Sequence, residues 1–273
     1  MLEKIYTIPV NEAFDACALT EIPDAAAPAA EPANAAEASG AAETALTETA
    51  AEAMPECPFC RLYQKLQEDE LDIILGASMM DPDIRIRTNQ LGFCQTHYRK
   101  MLGRRNRLGM ALMLESHLNT LREEIDSGGL GSLLRGKETA ALERIGKLEQ
   151  TCYVCERINA SMGKMVENAV YLWESERDFR EKLKRQPYFC LPHYRQYLAI
   201  GKEKMGRRDF PDFRNDLAQV VCRYFDALRA DTSLFIKKFD YRYEAEPWGN
   251  SKTAVERAVK FLKGDTGKDE SKN

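Results

Sequence analysis

The sequence lacks the long apolar segment that a membrane-spanning helix requires. No run in its 273 residues approaches the roughly 18 consecutive apolar residues needed to cross a bilayer. The opening residues, Met1-Leu2-Glu3-Lys4, also lack the apolar core of a secretory signal peptide. Because the chain carries eight cysteines and no export signal, we expect a protein of the reducing cytoplasm that does not associate with membranes.

Motifs of the common enzyme chemistries are also missing. The chain contains no phosphate-binding glycine loop, no paired-carboxylate motif and no Ser/His/Asp set that would indicate a reaction. These absences favour a binding or scaffold protein over an enzyme. The alternative is a thiol-redox or metal-dependent enzyme that uses Cys57 and Cys60.

Positive charge is absent from one stretch of the chain. Glu21 to Glu56 holds eight acidic residues and no Lys or Arg, so the net charge of −4 becomes +4 for the remainder. Residues 23–54 consist largely of Ala, Glu, Pro and Thr with few large apolar side chains. Such a segment cannot bury enough surface to offset its chain entropy, and we interpret 23–54 as an inserted, disordered linker.

One short pattern occurs twice and dominates the rest of the sequence. Residues 93–99, FCQTHYR, return as FCLPHYR at 189–195, and each copy follows a Cys-x-x-Cys pair. The gap between the pair and the cysteine of the copy is 33 residues in the first case and 34 in the second. The pattern uses six of the eight cysteines and two of the three histidines, and it predicts an internal duplication. The two consecutive sets are Cys57, Cys60, Cys94 and His97, then Cys152, Cys155, Cys190 and His193.

Three cysteines and one histidine form a closed structural set for tetrahedral zinc. A Cys pair two residues apart can direct both thiolates at one ion, and Cys and His at i and i+3 share one face of a helical turn. We therefore predict two zinc sites, one in each set. An iron–sulfur cluster with one His ligand remains an alternative. Cys57-Pro58-Phe59-Cys60 also resembles a glutaredoxin dithiol, but no strand is predicted before it.

Hydrophobic periodicity predicts a mainly α, internally duplicated protein with minor β segments. Short extended segments are expected at Ile5–Val10 and Ile84–Thr88, and the clearest helical stripe runs from Phe210 to Leu228. Besides the linker, we expect an N-terminal extended segment packed on the core (1–22), a first metal-clipped helical unit (55–127), a second unit with C-terminal helices (128–263) and a disordered tail (264–273).

Cations cluster after each Cys-x-x-His motif. Some of them offset a helix dipole, but a pair of parallel clusters could also bind phosphate backbones. No aromatic residues suited to base stacking are interleaved with them, and the partner is either nucleic acid or an unidentified protein. The clusters are Arg99, Lys100, Arg104, Arg105 and Arg107, then Lys202, Lys204, Arg207 and Arg208.

Several segments together resemble an uncharacterised family of bacterial cytoplasmic proteins. They are TIPVNEAF at 7–14, CPFC at 57–60, LGASMM at 75–80, TNQLGFC at 88–94 and the second Cys/His set. The resemblance spans nearly the whole chain except 23–54 and the tail, supports the helical metal-bound fold, and implies no activity. In that family the opening segment runs almost directly into the first Cys pair, which raises Cys17 as an alternative to Cys57 as a ligand.

Overall fold

The computed structural model describes residues 3–19, 54–127 and 137–265, and within these ranges the chain forms helices and no β-strand. None of the described helices is both long and apolar enough to cross a membrane. Most of the predicted linker and residues 266–273 of the predicted tail lie outside these ranges. The α-helices are α1 (Glu3–Ala18), α2 (Pro58–Leu75), α3 (Pro82–Leu91), α4 (Gln95–Gly103), α5 (Arg107–Ser127), α6 (Lys137–Gln150), α7 (Tyr153–Ser175), α8 (Arg177–Lys184), α9 (Leu191–Lys204), α10 (Phe210–Lys237) and α11 (Ala254–Lys263).

The helices form two compact units. The first unit combines the chain up to Cys60 with Glu167–Asp265, and the second unit is Arg61–Val166. Each unit therefore takes segments from both halves of the sequence. This division differs from the consecutive units 55–127 and 128–263 that the order of the motifs suggested.

Helix α10 supplies the central apolar face of the first unit. Phe213, Leu217 and Tyr224 are buried at the spacing of one helix face, which confirms the predicted stripe as core. The helix packs against α8, α9 and α11. The Trp173 ring meets Phe213 edge-on at 5.3 Å, and the Tyr188 ring stacks on Tyr224 at 4.3 Å.

The N-terminal segment is a helix, so the extended segment predicted at Ile5–Val10 is wrong. Val10, Phe14 and Cys17 are buried at a helical spacing, whereas the alternating residues before them lie in the more exposed first turns of α1. The buried face packs on α8, and the Gln186 side chain donates a hydrogen bond of 2.8 Å to the carbonyl of Phe14. Tertiary burial has therefore overridden the local β-type pattern.

The extended segment predicted at Ile84–Thr88 is also wrong, because these residues belong to α3 in the second unit. The Asp81 carboxylate caps this helix by accepting the backbone N–H groups of Asp83 at 2.9 Å and Ile84 at 3.4 Å. Pro82 occupies the first turn, where its missing N–H is not needed. Asp81-Pro82 therefore starts a helix, which then packs against α5 and α6.

A buried ion pair joins α10 to α11 in the first unit. The Arg257 guanidinium donates to the Asp231 carboxylate at 2.7 Å, and both side chains are at most 4% exposed.

We expect Asp231→Ala to lower the free energy of unfolding by about 3–5 kcal/mol, since it leaves a buried guanidinium unpaired. Urea denaturation measures this, with Asp226→Ala on the same helix as control because its pair with Arg229 is exposed. Equal effects of the two substitutions would contradict the prediction.

Candidate metal centres

The six cysteines and two histidines of the repeated pattern gather into two clusters, one in each unit. Within each cluster, the sulfur or ring nitrogen atoms of the four residues lie within 4.8 Å of one another. Cys17 belongs to neither cluster and so does not replace Cys57. The first cluster is Cys57, Cys60, Cys190 and His193, and the second cluster is Cys94, His97, Cys152 and Cys155.

The grouping of the four motifs differs from the predicted one. We expected each Cys-x-x-Cys pair to share its metal with the next Cys-x-x-His motif along the chain. Instead, the pair at 57–60 meets the motif at 190–193, and the pair at 152–155 meets the motif at 94–97. The consecutive pairing is therefore wrong. Motif spacing specifies each half of a site, but the packing within each unit decides which halves meet.

The first cluster is fully enclosed. Cys57 and Cys60 flank the start of α2, while Cys190 is the N-cap of α9 and His193 lies in its first turn. The sulfurs of Cys60 and Cys190 are 3.6 Å apart, and the His193 Nδ1 lies 3.1 to 3.8 Å from the three sulfurs. The three cysteines are 0% exposed, so neither solvent nor substrate reaches them.

Two further groups close the first cluster, and neither follows from the repeated motif. The Phe59 ring packs 5.8 Å from the His193 ring. After α11 the chain turns at Gly264, whose φ of +83° favours glycine, and the Asp265 N–H then donates to the Cys60 sulfur at 3.2 Å. Gly264 and Asp265, assigned from the sequence to a disordered tail, thus form part of the site. A glycine just after a predicted C-terminal helix was the available signal.

The second cluster has the same composition but reaches the surface. Cys94 is the N-cap of α4, His97 lies in its first turn, and Cys152 and Cys155 flank the start of α7. The His97 Nδ1 lies 3.2 to 3.4 Å from the three sulfurs, and the Cys94 and Cys155 sulfurs are 3.9 Å apart. His97 and Cys152 are buried, whereas Cys94 and Cys155 are partly exposed.

Backbone contacts hold the two halves of the second cluster together independently of its side chains. The Tyr153 N–H donates to the Gly92 carbonyl at 3.0 Å, and the Thr151 hydroxyl donates to the Leu91 carbonyl at 2.7 Å. These bonds join the segment before α4 to the segment before α7. These bonds therefore join the two cysteine-bearing segments in addition to the cluster itself.

Gln67 orients the histidine of the second cluster. Its fully buried side-chain amide lies 3.0 Å from the His97 Nε2 and also accepts a hydrogen bond from Lys100. This contact helps to hold the ring so that Nδ1 faces the three sulfurs. Sequence reasoning missed Gln67 because a single glutamine on a helix carries no pattern.

The thiols within each cluster compete to ionise. Hydrogen bonds from Cys152 and Cys155 hold the pKa of Cys94 far below its usual range, while bonds from its neighbours raise the pKa of Cys155. In the first cluster, where burial opposes ionisation, hydrogen bonds still lower the pKa of Cys57 and raise that of Cys60. A divalent cation would remove this competition by stabilising every thiolate at once.

Proton competition should make zinc binding at the second cluster depend on pH. Burial alone would lower the pKa of His97, but hydrogen bonds with Cys152 and Cys94 outweigh it and raise that pKa to about 9. Below that pH the ring carries a proton that the metal must displace. Affinity should therefore increase about tenfold per pH unit for each displaced proton as the pH rises toward 9. Competition with a chromophoric chelator at several pH values measures this, and a pH-independent affinity would contradict it.

Some of the predicted anion-binding cations are occupied by other contacts. Arg104 pairs with Glu68 and Asp72, Lys204 pairs with Glu167, and Lys100 contacts Gln67. The other six side chains are exposed and have no ion pair or side-chain hydrogen bond among the described residues. These unpaired cations are Arg99, Arg105 and Arg107 in the second unit, and Lys202, Arg207 and Arg208 in the first.

No curated protein and no solved structure matches this chain. A family model does match it, over residues 43–269. The matched range covers most of the chain and contains all eight residues of the two clusters. The chain therefore belongs to the Family of unknown function (DUF6062).

Proposed function

We propose that the protein is a zinc-binding helical scaffold in which one structural zinc ion closes each compact unit. The observation that carries this proposal is the convergence of three sulfurs and one histidine Nδ1 within 4.8 Å in both units. Four such ligands fill a tetrahedral zinc ion and leave no position for water or substrate. The metal then maintains the fold, and the protein acts through the surfaces that the fold presents to a partner.

The distances favour one ion per cluster. Zinc bonded to sulfur at about 2.3 Å and to nitrogen at about 2.0 Å holds two sulfurs ~3.8 Å apart and a sulfur and a nitrogen ~3.5 Å apart. The sulfur pairs at 3.6 and 3.9 Å and the nitrogen–sulfur distances of 3.1 to 3.8 Å lie close to these values. An iron–sulfur cluster spreads its ligands over several irons, which the 4.8 Å limit does not accommodate.

Burial weighs against the alternative of a thiol-redox enzyme. Cys57 and Cys60 are 0% exposed and share their cluster with Cys190 and His193. A catalytic dithiol must meet its substrate, so it is expected in a partly exposed environment. Reduced thiolate ligands also require a reducing compartment, which supports a cytoplasmic location.

Metal analysis by mass spectrometry, combined with the visible spectrum, tests the proposal. We expect two zinc ions per chain, no colour, and cluster cysteines that resist alkylation until a chelator is added. Cys222→Ser is the matched control, because Cys222 is exposed and lies outside both clusters, so its loss should leave two zinc ions bound. Iron with visible absorption, or no metal with a titratable disulfide, would overturn the structural zinc assignment.

The unpaired cations favour nucleic acid as the partner. Three exposed, unpaired side chains in each unit offer positive charge that nothing in the described residues neutralises. We expect binding to RNA or DNA that weakens with salt. Arg105→Gln and Arg207→Gln should each reduce the slope of log K against log salt concentration by about 0.7–0.9 if a phosphate contact is lost. Arg104→Gln is the control, because Arg104 already pairs with two carboxylates. No binding at low salt would exclude this partner.

A further inference from the structure

The two clusters differ in access although their compositions are identical. In the first cluster the three cysteines are 0% exposed. The turn at Gly264 lies directly over two of them, since a Cβ at that position would be 3.4 Å from the Cys190 sulfur and 3.7 Å from the Cys60 sulfur. In the second cluster Cys94 and Cys155 are both partly exposed. A small oxidant therefore has better access to the second cluster than to the first.

The two partly exposed cysteines of the second cluster are also neighbours. Their sulfurs lie 3.9 Å apart, compared with about 2.05 Å in a disulfide, so modest movement of two side chains would join them. The backbone bond from Tyr153 to Gly92 also holds their segments together. The two sulfurs are therefore placed to react with each other once one of them is oxidised.

We propose that the second cluster is a peroxide-sensitive site, at which oxidation joins Cys94 to Cys155 and releases the metal. This inference rests on the proposed zinc occupancy. One thiolate attacks hydrogen peroxide, the O–O bond breaks, and the sulfur becomes a sulfenic acid while the departing hydroxide takes a proton to become water. The second thiolate then attacks that sulfur, the S–S bond forms, and a second water leaves after protonation. Peroxide gains the two electrons that the sulfurs lose.

Release of the metal follows from the loss of two of its four ligands. A disulfide no longer provides thiolates, and the remaining Cys152 and His97 cannot complete a tetrahedral set. A thiol reductant returns the two electrons and restores the site. We expect the change to be reversible, because the disulfide keeps the two segments joined and its reduction restores both thiolates.

The first cluster is a built-in control for this proposal. Its Cys60 and Cys190 sulfurs are only 3.6 Å apart, closer than the pair in the second cluster. If distance alone decided reactivity, the first cluster would oxidise first. If access decides, the second cluster oxidises first, which is the order that we propose.

Treating the zinc-loaded chain with hydrogen peroxide tests the order. The Cys222→Ser variant is used so that the exposed Cys222 does not contribute. Zinc release is followed with a chromophoric indicator, and disulfides are mapped by mass spectrometry of peptides. We expect one of the two ions to leave at least about tenfold faster than the other, with a Cys94–Cys155 disulfide, and to rebind after reduction.

The outcomes separate this inference from the function on which it rests. A chain that holds no zinc before oxidation contradicts the structural zinc assignment itself. A chain that starts with two ions and loses both at the same rate, or that forms a disulfide in the first cluster first, overturns only the inference. A Cys152–Cys155 disulfide or irreversible overoxidation of the second cluster would also overturn it.

Discussion

Removing the metal is expected to abolish the cooperative unfolding of both units. Structural zinc contributes on the order of 10–16 kcal/mol in small peptides, as much as the whole stability of a typical domain, which is about 5–15 kcal/mol. In the first unit, the ion would join Cys60 to Cys190, which are 130 positions apart. Without it, the three buried cysteines and the histidine would lose the ion that bonds them to one another. Circular dichroism during thermal unfolding, before and after treatment with a strong chelator, measures the loss.

Two controls make the chelator experiment decisive. Chelator added together with excess zinc should leave the unfolding transition unchanged, and zinc added after removal should restore it. If the metal-free chain keeps both its helix content and its melting temperature, the ions do not hold the fold and the structural role is wrong.

Pairs of ligand substitutions should reveal the crossed grouping through the number of zinc ions retained. Cys60 and Cys190 belong to one cluster, so the double variant Cys60→Ser/Cys190→Ser should lose one ion and keep the other. Cys60 and Cys94 belong to different clusters, so Cys60→Ser/Cys94→Ser should lose both. Native mass spectrometry counts the ions. Consecutive grouping predicts the reverse result for each variant.

Single substitutions provide the matched controls for this experiment. Cys60→Ser, Cys94→Ser and Cys190→Ser should each lose one ion, because each removes one ligand from one cluster. Cys17→Ser should lose none, since Cys17 is outside both clusters. Loss of both ions in every single variant would mean that the clusters are not independent, and the counts would then contradict separate sites.

The eight residues of the two clusters could be picked out from the sequence because two geometric constraints act over short distances. A Cys pair two residues apart and a Cys and His three residues apart each direct their side chains at one point within a single turn. The grouping was not predictable in the same way. It depends on contacts such as Tyr153 to Gly92, which join segments about 60 residues apart and leave no periodic signal.

Helices were predicted correctly where a long apolar stripe marks one face. The predictions failed where the local residue pattern favours a strand but the packed structure forms a helix. Phe213 to Leu228 lie on a stripe long enough to be unambiguous. Ile84 and Ile86 alternate with arginines, but the capping carboxylate of Asp81 and the proline after it start a helix there. Cys222 lies within the residues of the α10 stripe, but it is exposed because it lies just off the buried face.

The crossed grouping of the eight residues around two ions is tested most directly by a cadmium–proton correlation spectrum of the chain loaded with ¹¹³Cd in place of zinc. Scalar couplings pass only through bonds from the ion to its own ligands. We predict two cadmium resonances, one coupled to Cys57, Cys60, Cys190 and His193, the other to Cys94, His97, Cys152 and Cys155. A resonance coupled to both Cys60 and Cys94 would contradict the crossed grouping, and the absence of bound cadmium would contradict the metal centres altogether.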